Sequence, residues 1–267
     1  MADRVKTPST VLYLYGVTRT GERLPATTRG VDGVSSVEAL DACGFVCWIS
    51  RVNVVEFGDE LNKNMENLEW LADASVRHQR VVGALHDRQA ILPARFGTVF
   101  LNASTLSADI EAQKRALEAG FKRIADSDEW GIRVFAQPRA VPMTSGVKSG
   151  KDYLQRKAKL LQAKPPRTLE AEIQQFASEV SKLASDSTEG GRVGAGQPSL
   201  RWQTSILLRR SQRASFEKVL RRFSQQHGDR FRVECTGPWP PYSFVAEKSE
   251  GEPKAVNRAK PVRKAAR

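Results

Sequence analysis

The chain has 267 residues, 40% hydrophobic and 27% charged, with a formal net charge of +12. These are ordinary values for a folded soluble protein, and the length exceeds one small core, so two domains are expected. Apolar runs such as residues 11–15 fall far below the ~20 residues that cross a bilayer, and the opening MADRVKTPST has no apolar stretch with a cleavage site. A membrane protein and a secreted protein are therefore not expected.

Residues 11–17, VLYLYGV, predict a β-branched and aromatic strand, followed by a turn-rich stretch to Gly33. Residues 34–40 predict a second strand and residues 44–52 a third. In the third, Phe45, Cys47 and Ile49 share one face and Val46 and Trp48 the other, so it reads as central. Residues 66–88 predict a long helix. Leu68, Leu71, Val82 and Leu85 lie along one stripe, and Glu69, Asp73, Arg77 and Arg80 along another. A short apolar strand through Ile91 and Leu92 meets Pro93. Leu106, Ile110, Leu117, Phe121 and Ile124 then mark an amphipathic helix over 104–125.

A second unit begins at residues 130–135, WGIRVF, a strand after the polar residues 126–129. Residues 137–150 read as a loop. The helical stretch from 151 to 185 is broken at Pro165 and Pro166 into two helices, because both prolines lack a backbone donor. The second helix carries Leu169, Ile173, Phe176, Val180 and Leu183. Residues 186–199 read as a Gly- and Ser-rich connector. Trp202, Thr204, Ile206 and Leu208 alternate along a strand. Phe216, Val219, Leu220 and Phe223 follow on a helix whose other face is Arg213, Lys218, Arg221 and Arg222. Phe231, Val233 and Cys235 complete a strand. The order β-α-α-β-α-β suggests a ferredoxin-like variant, a sheet covered by helices on one side. Residues 247–267 have the composition of a basic, disordered tail.

The expected organisation is α+β: an N-terminal α+β domain over 1–127, a ferredoxin-like domain over 128–246, and the tail. Charge divides unevenly between the halves. Residues 1–136 hold 16 basic and 18 acidic side chains, net −2, and residues 137–267 hold 26 and 12, net +14. Such a balance favours anionic partners for the second half, and a nucleic-acid-binding ferredoxin-like protein is the alternative reading.

Catalytic and metal chemistry find little support. GGRVGAG at residues 190–196 lacks the Lys-Ser/Thr of a phosphate loop and reads as a connector. His78 and His86 stand eight residues apart, not at the i,i+4 spacing that chelates one metal from a helix. They read as packed or capping histidines, and His227 as a helix-end cap. Cys43, Cys47 and Cys235 form no C-x-x-C pair and read as small buried side chains. No G-x-S-x-G is present. The sequence therefore predicts no catalytic site, no metal and no cofactor.

Two motifs remain. LPARFGTVF at residues 92–100 contains Arg95, which packing alone does not demand. It would either pair with a carboxylate between the domains or meet a partner protein. TGPWPPYSF at residues 236–244 holds three prolines, a glycine and three aromatics. No regular helix or strand is expected to carry it, and an extended or turned segment closing a fold edge is predicted. Trp239 is expected to be structural if buried and partner-facing otherwise.

These motifs, with YLYGV at residues 13–17 and WGIRVF at residues 130–135, resemble the gas vesicle protein F/L family (GvpF/GvpL) in order and over nearly the whole folded chain. The resemblance implies a non-enzymatic accessory protein of gas vesicles, located at the vesicle or in the cytoplasm. Its implied partners are the hydrophobic wall subunit GvpA and other gas vesicle accessory proteins, with neither membrane nor nucleic acid among them. Holding GvpA would prevent its aggregation during nucleation. The implied fold is an α+β N-terminal domain followed by a modified ferredoxin-like domain. Arg95, Trp239 and Tyr242 are the candidate partner-binding residues.

Overall fold

The computed structural model describes residues 9–22, 24–25, 27–137, 167–189 and 197–245. The predicted loop and first helix within 138–166, the glycine run 190–196 and the tail lie outside these residues.

The first sheet is antiparallel. Its strands are β1 (Thr10–Thr18), β2 (Glu38–Ala42), β3 (Phe45–Asn53), β4 (Ile91–Pro93) and β5 (Val99–Phe100), ordered β2-β3-β1-β4 with β5 also pairing β1. Cys43 and Gly44 join β2 to β3 with φ of 52° and 84°, the left-handed pair a two-residue hairpin requires. Central β1 is buried at eight of its nine residues because helices cover both faces. Val11, Tyr13 and Tyr15 share a core with α2 (Leu68–His86), through Ala74, Val81, Val82 and Leu85. Leu12, Leu14 and Val17 share another with α3 (Ala103–Arg123), through Leu106, Ile110 and Phe121. Asn67 caps α2 by accepting from the Glu69 and Trp70 amides, and Asn102 forms a capping box with Thr105 on α3. A π-helical turn (Val55–Asp59) and the short α1 (Leu61–Glu66) precede α2.

The second sheet is also antiparallel, with β6 (Ser127–Ala136), β7 (Asp186–Glu189), β8 (Leu200–Arg209) and β9 (Phe231–Trp239) in the order β7-β8-β6-β9. α4 (Arg167–Leu183) and α5 (Arg213–His227) share one core with it, in which Phe223 stacks between Phe176 and Phe231 and Trp130, Ile132 and Ile206 complete the cluster. The molecule is thus an α+β protein with two antiparallel sheets.

Four expectations are corrected. Leu68 is 80% exposed at the first turn of α2 and does not belong to its apolar stripe. Residues 127–129 are strand, because Asp128 and Glu129 are buried and hydrogen-bonded. Residues 186–189 form β7, a polar edge strand whose DSTE carries no apolar signal. The first four residues of TGPWPPYSF extend β9, which tolerates Pro238 as the outer strand of its sheet, and only the remainder turns away.

Candidate interaction site

The LPARFG motif splits one edge strand in two. β4 pairs β1 through Gly16↔Pro93 and β5 pairs it through Tyr13↔Val99. Between them the chain arches away from the sheet. The Ala94 amide donates to the Tyr15 carbonyl at 2.9 Å, and the Leu14 amide donates to Thr98 at 2.9 Å. A turn closes over the arch, with the Thr98 amide and Oγ1 donating to the Arg95 carbonyl at 3.2 and 2.7 Å. Gly97 sits at φ +81°, where a side chain would be strained. Arg95 stands exposed at the tip, and among the described residues its guanidinium has no carboxylate partner.

Beneath the arch lies an aromatic cluster. The Gly97 amide donates to the Tyr13 hydroxyl at 3.1 Å, and the same hydroxyl is hydrogen-bonded to His78 Nδ1 at 2.9 Å. Tyr15 donates to Ser50 Oγ at 3.0 Å and accepts from the Val31 amide at 2.7 Å. Burial dominates their ionisation. It raises Tyr13 far above its usual range and Tyr15 to about 12, and it lowers His78 to about 4, with the Ala94 backbone partly opposing. The cluster is neutral at physiological pH.

The end of TGPWPPYSF acts as a clasp between the two sheets. Ser243 donates from its amide and Oγ to Glu129 Oε2 and Oε1, at 2.9 and 2.6 Å. Phe244 is fully buried in a core shared by Leu12, Leu14 and Leu92 of the first sheet and Leu207 of the second. Arg123, at the end of α3, donates to the Phe244 carbonyl at 3.1 Å and lies 5.3 Å over its ring, while its Nε pairs with Asp186 of β7 at 2.6 Å. A second bridge joins Asp128 to His86 of α2 at 3.2 Å and to Arg210 at 3.1 Å. Burial alone would raise the Asp128 carboxyl, but these two donors together hold it below the usual carboxylate range.

His78 joins the two motifs. Its ring centroid lies 5.7 Å from Phe96 of the arch and 6.3 Å from Tyr242 of the clasp. Of the three residues singled out in the sequence, Arg95 is exposed, Trp239 is 42% exposed at the end of β9, and Tyr242 is half-buried against the α2 core, its hydroxyl enclosed and without a hydrogen-bond partner among the described residues. Arg95 and Tyr242 belong to motifs that meet on His78. The structure provides no comparable link for Trp239.

Sequence patterning did not point to the surface beside the arch. Val55, Met65 and Leu68 are exposed on and around α1, at 51, 39 and 80%. Next to them Asn53, Glu56, Glu60, Asn64 and Trp70 line a hollow of about 380 Å³ with Val55. A Cβ built on Gly97 would lie 3.8 Å from Met65 Sδ, so the arch abuts α1. Among the described residues no group of three or more His, Cys, Asp or Glu is placed to hold a metal ion. No helix among them is long and apolar enough to cross a membrane.

Comparison with known proteins agrees with this architecture. Residues 11–246 match the family model described as gas vesicle synthesis protein GvpL/GvpF. Gas vesicle protein L of a Streptomyces species is 28% identical over 264 residues, covering 92% of this chain and 97% of the relative. Gas vesicle protein F2 of Halobacterium salinarum is 25% identical, covering 88% and 91%. The crystal structure of the gas vesicle protein GvpF from an Anabaena species superposes with a TM-score of 0.65 at 20% identity, covering 90% of this chain and 99% of that one.

Proposed function

Since the chain belongs to the GvpL/GvpF family of gas vesicle synthesis proteins, we propose that it is a non-enzymatic assembly factor and minor vesicle component that holds the hydrophobic wall subunit GvpA during nucleation. The observation that carries this is that Val55, Met65 and Leu68 are exposed on the successive elements leading into α2, with Met65 against the arch and Val55 lining the hollow. Large apolar side chains left in water on successive elements suit an interaction surface, and a wall subunit destined for an apolar shell would aggregate if left free in water. Arg95 and Trp239 meet the partner directly, and Tyr242, half-buried in the clasp, contributes from beside them.

The second sheet is read as a modified ferredoxin-like unit, supported by its β7-β8-β6-β9 order and by α4 and α5 in one core. Residues 1–127 and 128–246 are read as its two domains. Nucleic-acid binding has less support: of the nine basic side chains in 197–245, Arg210, Arg213, Arg222, Arg230 and Arg232 are already paired with carboxylates.

The test is co-purification with GvpA and light scattering of GvpA refolded with and without the protein. Binding at micromolar concentration and suppressed scattering are expected. GvpA that neither binds nor stays dispersed would overturn the proposal.

A further inference from the structure

Far from the arch, α5 and β9 flank an open groove of about 390 Å³. Leu220, Arg221, Ser224 and Gln225 line it from the helix, and Val233 and Cys235 from the strand. Among the described residues β9 is the outer strand of its sheet. The Gln137 amide donates to the Arg230 carbonyl at 2.8 Å, which sets the phase of the β6–β9 ladder. Ala136↔Phe231, Val134↔Val233 and Ile132↔Cys235 are then the pairs that do not exchange hydrogen bonds. The backbone N–H and C=O groups of Val233 and Cys235 point away from β6, out of the sheet. Side chains of the same two residues turn under α5, where both are half-buried against the second core. One pair of residues thus supplies a hydrogen-bonding edge and an apolar floor.

We propose that this edge accepts an extended acidic segment of a partner protein as an added strand, with alternate apolar side chains seated between α5 and β9. Charge selects the occupant. Arg221 lines the groove and Lys218 lies one turn away, and neither has a carboxylate partner among the described residues. Glu217, the acid that acts on Cys235, is engaged by Arg213 at 3.0 Å. Residues 197–245 carry nine basic and three acidic side chains, so a second copy of this chain on the same edge would set like charges together. Burial pushes the Cys235 thiol up to about 11, so it lines the groove as a neutral group. Pro238 has no donor and ends the usable edge.

The probe is a fluorescein-labelled ten-residue peptide alternating Val with Asp and Glu, titrated against the full chain beside a control with Lys in place of the acids. Saturable binding is expected at roughly tens of micromolar for the acidic peptide, with slowed amide exchange at Val233 and Cys235. Val233→Pro removes an outward donor and leaves the β6 ladder intact. It should weaken binding about tenfold or more, and Arg221→Glu should weaken it about fivefold with unchanged thermal unfolding. If Val233→Pro does not fold, Arg221→Glu and the exchange map decide. An acidic peptide bound no better than the Lys control would overturn the proposal, as would exchange protection elsewhere or undiminished binding to the folded variants.

Discussion

His78 gives the sharpest test of the architecture, because it holds the arch to the clasp and is buried as a neutral ring. Its folded pKa is lowered from 6.5 to about 4, chiefly by burial. In the unfolded chain the imidazole takes up a proton near pH 6.5, whereas the folded chain does not until about pH 4. The stability linked to His78 is therefore fully present above pH 6.5 and is lost progressively as pH falls toward 4. A depression of this size corresponds to about 3 kcal/mol at 1.36 kcal/mol per decade of proton affinity, as an order of magnitude. Urea unfolding followed by tryptophan fluorescence from pH 7.5 to 4 should show this loss superimposed on that of the carboxylates. His78→Gln keeps polar capacity toward Tyr13 but cannot titrate. It should be less stable than the parent at pH 7.5, and the gap should close by about 3 kcal/mol as pH approaches 4. Parallel pH profiles for the two proteins would refute a neutral, enclosed His78.

Phe244→Ala should cost about 3–5 kcal/mol, because the ring is wholly buried between the two sheets. Trp239→Ala should cost less than about 1.5 kcal/mol given the exposure of that ring. Equal losses in urea midpoint for the two would contradict the clasp geometry. Ser243→Ala should cost about 1–3 kcal/mol by removing a hydrogen bond to the buried Glu129 carboxylate. Asp128 has a depressed carboxyl pKa, so its contribution is present above the usual carboxylate range and lost as pH falls through the lowered value. Asp128→Asn should therefore destabilise at pH 7 and matter less near pH 3, checked by denaturation at both. Arg95→Ala should leave the unfolding midpoint within about 0.5 kcal/mol while weakening GvpA binding, and a protein that keeps full GvpA affinity would remove Arg95 from the interface.

The elements legible in the sequence were those whose periodicity reports burial directly. β1 and β3 announce themselves by apolar residues on both faces, and they are the strands sandwiched between α2 and α3. α3 and α5 carry clean stripes, and α3 lies within two residues of the 104–125 read from its stripe. β7 was invisible because a polar edge strand has no apolar face to betray it, and its pairing is decided by β8 alone. Residues 127–129 looked like a linker for a related reason. Asp128 and Glu129 are buried charges, and their partners, His86, Arg210 and Ser243, lie 42, 82 and 114 positions away. Composition can mark a charge as buried only when the partner is already known.

The same distance explains what could be read of the site. The proline content predicts that residues 236–244 leave regular structure, and this holds only from Pro240 and Pro241, which end β9. It could not show that Ser243 would fasten to Glu129 of β6 or that Phe244 would find the other sheet, and the latter depends on Leu207 facing away from its own helices. Leu207 was one apolar residue on the polar side of an alternating strand. Its position opposite Trp202, Ile206 and Leu208 carried information: a lone leucine on a face otherwise made of Arg201, Gln203 and Ser205 needs a cover from outside its own unit. Leu12, Leu14 and Leu92 of the first sheet supply that cover, with Phe244 of the clasp packed among them. An exception to alternation is thus a sequence signal for contact between units, and here it marks where the second sheet is fastened to the first.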